Sequence, residues 1–221
     1  MKRYLPDLDS LRQSPEFHCF ALRLSTLQVA DLKGASHDEQ AVFFINLFNA
    51  LILYAHCKFK PPTNATERRY MYEHCFVYFN GRRWSIQEIE TEALKSATKA
   101  DPLVYLCLSD ATMSTPATFI FSEANLSDTK LFATRHFFRR AVKFDANNYE
   151  VEFPRLFQRI WKDLKMEKED LIALFKPYMA GANREEITKM QELNQKIEVK
   201  FAAYSFQPSY IFEETSPLSP R

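Results

Sequence analysis

Between Tyr105 and Phe119 the chain reads YLCLSDATMSTPATF, and the side chains in it with chemical potential are Tyr105, Asp110, Ser114 and Thr115. A hydroxyl in a tight loop of small residues, closed by Pro116, is one way to present a nucleophile for acyl transfer or hydrolysis. Such a hydroxyl needs a base to take its proton, unless it lies at a chain terminus and can use its own amine. Thr115 is internal, and the upstream candidate, Tyr105, is a phenol with an ordinary pKa of about 10 that stays protonated near neutrality. Asp110 could act as a base, yet nothing in the sequence pairs it with Thr115. Taken alone, these residues make a weak active site.

Other candidates carry bland explanations. Three His-Cys pairs occur, at His18-Cys19, His56-Cys57 and His74-Cys75. Zinc needs four ligands converging tetrahedrally, and neighbours on a helix point about 100° apart, so core packing explains the pairs better and no metal or other cofactor is expected. The run RHFFRRAVKF mixes arginine and phenylalanine as a nucleic-acid groove would. At helical spacing, however, Arg135, Arg139 and Lys143 fall to one side of Leu131, Phe138 and Val142, as on a solvated helix face, and nucleic acid is not expected as a partner. A thiol role for Cys107 is weaker still, because a buried cysteine is usually inert.

Asn46 and Asn49 stand out inside a long apolar segment. Their i,i+3 spacing puts both amides on one helix face. Buried there, each must find partners or cost about 1–3 kcal/mol, and irregular backbone such as the 109–116 loop would supply them.

The elements that must position these residues read as follows. Ser14 and Pro15 open an amphipathic helix. Ser36 and Glu39 form a capping box before the apolar run from Val42 to Leu53, which predicts a central buried helix ended by Pro61 and Pro62. Asn80-Gly81 between Phe76–Phe79 and Arg82–Trp84 predicts a type I′ hairpin, and Ser85 with Glu88 caps a short helix to about Leu94. The continuous apolar run 103–108 predicts a buried strand. A helix leading into a strand follows over 125–144, then a turn and strand, a helix from Pro154 to Leu164, helices near 168–179 and 183–197, and a last strand at 199–206. The expectation is an α+β fold: a single helix-rich domain over residues 1–210 around a central buried helix, with a small, mostly antiparallel sheet. The tail 211–221 is expected to be disordered, with Ser216-Pro217 and Ser219-Pro220 as proline-directed phosphorylation sites.

Composition excludes several functions. Only 3 of 221 residues are glycine, and no G-x-G-x-x-G or Walker loop is present, so glycine-loop nucleotide binding is not expected. The 29 basic and 28 acidic residues leave a net charge of +1, which gives no global field for nucleic acid or anionic membranes. There is no secretory pattern at the start, and Asn46 and Asn49 interrupt the most apolar segment, so no membrane insertion is expected. Four scattered cysteines without a C-x-x-C pair suit reduced thiols of an intracellular, cytoplasmic protein.

Four stretches together resemble the family called domain of unknown function 547. FFINLFNAL (43–51) is similar to its helix signature, FNGRRWSIQEIE (79–90) to its glycine hairpin and serine-capped turn, and DPLVYLCL (101–108) to its aspartate-proline strand. The later run 126–164 is also similar, and the resemblance extends over about residues 36–207. The differences fall at the chemical positions. Where the family carries arginine and histidine in the aspartate-proline strand, this chain has Leu103 and Tyr105; for serine-cysteine-proline it has Ser114-Thr115-Pro116; and for tyrosine-aspartate-tryptophan it has Tyr204-Ser205-Phe206. Cysteine, histidine and aspartate are the residue types of nucleophile, base and orienting acid, and they invite comparison with papain-like and transglutaminase-like folds. Replacement of all three implies a degenerate site at Tyr105, Thr115 and Ser205, with Asn46, Asn49, Asp110 and Ser114 in supporting roles.

The resulting expectation is a non-catalytic, structural or protein-binding module, a subunit of a larger assembly. Its partner surface is expected at the aromatic stretch 206–214, through Phe206, Tyr210, Ile211 and Phe212, unless that stretch folds back on the domain. The alternative is a hydrolase or acyltransferase with an altered site around Thr115.

Overall fold

The computed structural model describes residues 7–98 and 101–210. Two short helices begin it, α1 (Leu8–Gln13) and α2 (Pro15–Thr26), the second capped by the Ser14 hydroxyl with Pro15 in its first turn. The central helix α3 (His37–Phe59) starts at the Ser36–Glu39 capping box and ends at Lys60, which adopts a positive φ of 69° ahead of Pro61 and Pro62. By length and hydropathy α3 could cross a membrane. Its apolar residues instead form the core, with Ile45, Phe48, Leu51, Ile52 and Ala55 fully buried. Each large side chain buried this way contributes about 1.5–3 kcal/mol.

Helix α4 (Ala65–His74) has no apolar stripe to announce it, since only Met71 and Tyr72 are buried; the Asn64 side chain caps it by accepting from the Glu67 N–H. Next comes the hairpin of β1 (Phe76–Phe79) and β2 (Arg82–Ser85), where Asn80 and Gly81 both take the positive φ that a type I′ turn requires. A second capping box, Ser85 with Glu88, starts α5 (Ile86–Glu88). The chain then widens into a π-helical turn (Ile89–Ala93) and tightens again as α6 (Leu94–Thr98).

The segment 103–108 is not a strand. Pro102–Cys107 forms a 3-10 helix, with Pro102 in the first turn and the Asp101 carboxylate accepting from the Leu103 N–H. A short apolar run is compatible with either form, and the capped proline decides for the helix. This helix joins the two halves of the core. Val104, Cys107 and Leu108 belong to the cluster around α3, whereas Tyr105 and Leu106 belong to a second cluster.

That second cluster is built by α7 (Leu126–Ala141), β3 (Lys143–Asp145), β4 (Glu150–Phe153), α8 (Leu156–Leu164), α9 (Asp170–Phe175), α10 (Gly181–Glu192) and β5 (Glu198–Phe201). Strands β3 and β4 pair antiparallel, but β4 and β5 run parallel, so the sheet is mixed. Helix α10 and strand β5 are shorter than their sequence-predicted spans. The helix-rich α+β architecture around one buried apolar helix is as expected. Ile211, Phe212 and both Ser-Pro sites lie outside the described residues.

Candidate functional site

The 109–116 loop is held by side chains from distant elements. Asn49 in α3 donates to the Cys107 carbonyl at 3.0 Å and accepts from the Ser109 N–H at 2.9 Å, which satisfies its buried amide. Asn46, one turn earlier, makes the same two-way contact with Phe121, at 2.8 and 3.0 Å. Two amides on one helix face thus clamp the backbone on both sides of the loop. Within the loop the Ser109 hydroxyl donates to the Pro116 carbonyl and accepts from the Ala111 N–H, where the chain passes through a positive φ of 52°.

Asp110 is the hub. Its Oδ2 accepts from Arg68 Nε at 2.9 Å, from Arg68 Nη2 at 2.8 Å and from the Tyr204 hydroxyl at 2.7 Å, and its Oδ1 accepts from the Tyr72 hydroxyl. Arg68 and Tyr72 share one face of α4, and the guanidinium lies over the Tyr72 ring at 4.0 Å. Burial pushes the Asp110 pKa up, but the Arg68 charge and the hydrogen bonds from Tyr72, Arg68 and Tyr204 outweigh it and hold the carboxyl below its ordinary value. Burial raises the pKa of Tyr72 and Tyr204, which keeps both phenols as donors. Asp110 is therefore a fixed carboxylate already occupied by its donors, a poor general base.

Thr115 is only 4% exposed. Its Oγ accepts from the Asp110 N–H at 3.1 Å and lies 3.4 Å from both the carbonyl and the hydroxyl of Thr112, so its hydrogen-bond neighbours are an amide, a carbonyl and another hydroxyl, with no base among them. Thr112 connects the loop to Tyr204 through a 3.1 Å hydroxyl contact, and Ser114 Oγ accepts from the Ser205 N–H at 2.6 Å. The Ser205 hydroxyl faces its own turn, accepting from the Gln207 N–H at 3.3 Å.

Tyr105 belongs to a different network. Its hydroxyl donates to Asp163 at 2.7 Å, and Asp163 also receives Lys95 at 3.5 Å and Arg159 at 3.6 Å. Arg159 in turn pairs with Glu90, a carboxylate buried in the π-helical turn. Burial and the Asp163 contact raise the Tyr105 pKa. The space beside it, lined by Glu90, Lys95 and Leu108, is about 10 Å³, enough for no more than a water molecule. So the loop joins Asp110, Ser114, Thr115 and Tyr204–Ser205, while Tyr105 is engaged elsewhere.

The described part of the C-terminal segment lies against the domain. Phe206 packs on Tyr204 with ring centroids 4.7 Å apart, and the half-buried Tyr210 packs on the α3 cluster and contacts His56 Nδ1 at 3.0 Å. The backbone pairs with the loop through Met113 N–H to Gln207 and Ser209 N–H to Ala111. The described part of the aromatic stretch thus folds back on the domain, because these bonds and the apolar face of α3 satisfy it better than solvent does. Cys107 is fully buried, and burial raises its thiol pKa, as it does for Cys75, pushed up to about 12. Among the described residues, no three His, Cys, Asp or Glu side chains form a metal-binding group.

Arg68, Tyr72, Glu90 and Arg159 were not evident from the sequence as site residues. The Asn64 cap with Glu67 three positions on marks the start of α4, and Arg68 and Tyr72 follow at i,i+4 spacing. Glu90 lies at the end of the hairpin-and-cap motif, with nothing local to reveal its burial.

Residues 32–138 match the family model described as "Protein of unknown function, DUF547". The matched part contains α3, α4, the hairpin, the loop and most of α7, but stops short of Tyr204–Phe206. No match was found among curated proteins or solved structures, and the comparison with papain-like and transglutaminase-like folds gains no support.

Proposed function

Starting from a chain that belongs over residues 32–138 to the DUF547 family, we propose that it acts without catalysis, as a structural or protein-binding module. In this reading the 109–116 loop is a clasp. It ties α4 and the 204–210 segment together through Asp110 and is held to α3 by Asn49, with Thr115 completing its hydrogen bonds. The observation that carries the reading is the Asp110 carboxylate, occupied by Arg68, Tyr72 and Tyr204 beside a buried Thr115 hydroxyl that has no base. Nucleophilic catalysis at Thr115 would need a group able to take its proton, and the phenol of Tyr105 is bonded to Asp163.

Turnover of activated acyl esters and thioesters tests the non-catalytic half. The expected outcome is no turnover by the full chain and no difference in Thr115→Ala. Turnover abolished by that substitution would restore the altered hydrolase or acyltransferase. For the binding half, the full chain and a version ending at Tyr210 are compared by pull-down from native extract. That end point keeps the pairing of Gln207 and Ser209 with the loop, which a shorter chain would lose. A stoichiometric partner lost on truncation supports a binding surface at 211–221, and the absence of a partner with either version argues against the binding role.

A further inference from the structure

Away from the clasp, α7 and α10 border a cleft of about 280 Å³ lined by Arg135, Arg139 and Arg184, with Tyr178 and Gly181 at its edge. Arg135 and Arg139 stand at i,i+4 on α7, so their like charges repel unless something negative lies between them. Arg184 adds a third guanidinium from the first turn of α10, a turn with no acidic residue and no side-chain cap. Elsewhere in the molecule Arg12, Arg68, Arg82 and Arg159 each face a carboxylate. Among the described residues, none of the three cleft arginines has an ion pair. The nearby carboxylates do not supply one: Glu186 pairs with Lys189 at 2.9 Å, and Glu185 is exposed. The wall of the cleft is fixed, because the Tyr178 ring packs on Phe138 and Phe175 in the second core cluster.

We propose that this cleft is a binding site for a phosphomonoester dianion. Three guanidiniums present planar forks that match phosphate oxygens, and Tyr178 adds a hydroxyl donor. The size favours one phosphoryl group over a nucleic-acid strand, since ligand pockets run from about 300 Å³ upward and this cleft lies just below that. A tracking groove would also require a basic surface well beyond the cleft, and the chain's net charge is only +1. The inference does not depend on the status of Thr115.

The test is titration of the full chain with O-phosphoserine and with a short phosphoserine peptide, at constant ionic strength, with serine and the unphosphorylated peptide as controls. Binding of the phosphorylated probes only is expected, weakened about tenfold or more in Arg139→Met and in Arg184→Met, because each removes charge-assisted hydrogen bonds. Arg155→Met, on the neighbouring α8 boundary, should bind as the parent does. A peptide that binds at least tenfold tighter than the free amino acid identifies a phosphorylated protein as the source, and equal affinities identify a free phosphorylated metabolite. Should a substitution unfold the chain, the side-chain Nε–H resonances of the three arginines in the unsubstituted protein decide the matter. They should shift on addition of O-phosphoserine. No shift, equal binding of unphosphorylated probes, or unchanged binding in both cleft variants would overturn the proposal.

Discussion

Two networks of carboxylate, arginine and tyrosine flank the 3-10 helix Pro102–Cys107, and they are organised in opposite ways. At Asp110 one carboxylate collects Arg68, Tyr72 and Tyr204, three side chains from two distant segments. At Asp163 the charges alternate along a chain, Glu90 to Arg159 to Asp163, with Lys95 and Tyr105 attached. The first is a hub with no substitute for its centre; the second shares each charge between neighbours. They are electrically continuous, since the Glu90 charge acts on both Arg68 and Tyr72. The difference implies that a hub fastens segments tightly but fails when one member is lost, while a chain tolerates loss.

The largest effect expected is therefore at the hub. Arg68→Met leaves a carboxylate buried without its cation, and breaking such a pair destabilises by about 3–5 kcal/mol. Denaturant unfolding at neutral pH measures it. Without the Arg68 charge, burial dominates and the Asp110 pKa rises, so the folded state accepts a proton that the unfolded state releases. The deficit of the variant should then shrink as pH falls toward 4. A loss below about 1 kcal/mol, or one independent of pH, would mean that the hub is not the fastener.

Next in size is a pH effect at His56, which is fully buried near the hub. Burial lowers its pKa from 6.5 to about 4, against a smaller opposing pull from Asp110. Between those values the unfolded chain binds a proton that the folded chain refuses, so stability falls as pH drops from about 6.5 to 4, by about 3 kcal/mol in all. Asp110, with its pKa held below 3.8, adds its own loss only at lower pH. In His56→Gln the slope between pH 6.5 and 4 should flatten; an unchanged slope would assign it to other groups.

Glu90→Gln addresses the other side of the comparison. Arg159 keeps Asp163 at 3.6 Å, so about 2 kcal/mol is expected, less than at Arg68. Equal losses in the two variants would erase the distinction between hub and chain. The burial of Glu90 against Arg159 shows where the sequence stops informing. Capping boxes, the Asn80-Gly81 turn and the buried helix are written in contiguous residues, because each is a local interaction. Asn46 and Asn49 were legible for a related reason: an amide in an apolar helix must find a partner. The 3-10 helix at 103–108 was not, since a six-residue apolar run fits either form, and α4 was not, since only Met71 and Tyr72 are buried in it. The hub draws on residues 68, 72, 110 and 204, and only the fold brings them together.

The smallest effect expected is at Tyr105, and it separates the two networks most sharply. Tyr105→Phe removes one hydroxyl donor from Asp163, which retains Lys95 and Arg159. Asp163 is partly exposed, and water can take the place of the phenol, so the loss should be about 1 kcal/mol, the net worth of an ordinary hydrogen bond. Tyr204→Phe removes the equivalent hydroxyl from the buried Asp110 and should cost more, because no water replaces it. The pair is best read against Arg159→Met and Arg68→Met in double-mutant cycles. Coupling between Tyr204 and Arg68 that exceeds coupling between Tyr105 and Arg159 is expected because the first pair meets on an oxygen of a buried carboxylate at 2.7 and 2.9 Å, whereas the second meets on an oxygen of a partly exposed carboxylate with Arg159 at 3.6 Å. Equal coupling would show that the position occupied by Tyr105 holds the domain as firmly as the clasp does.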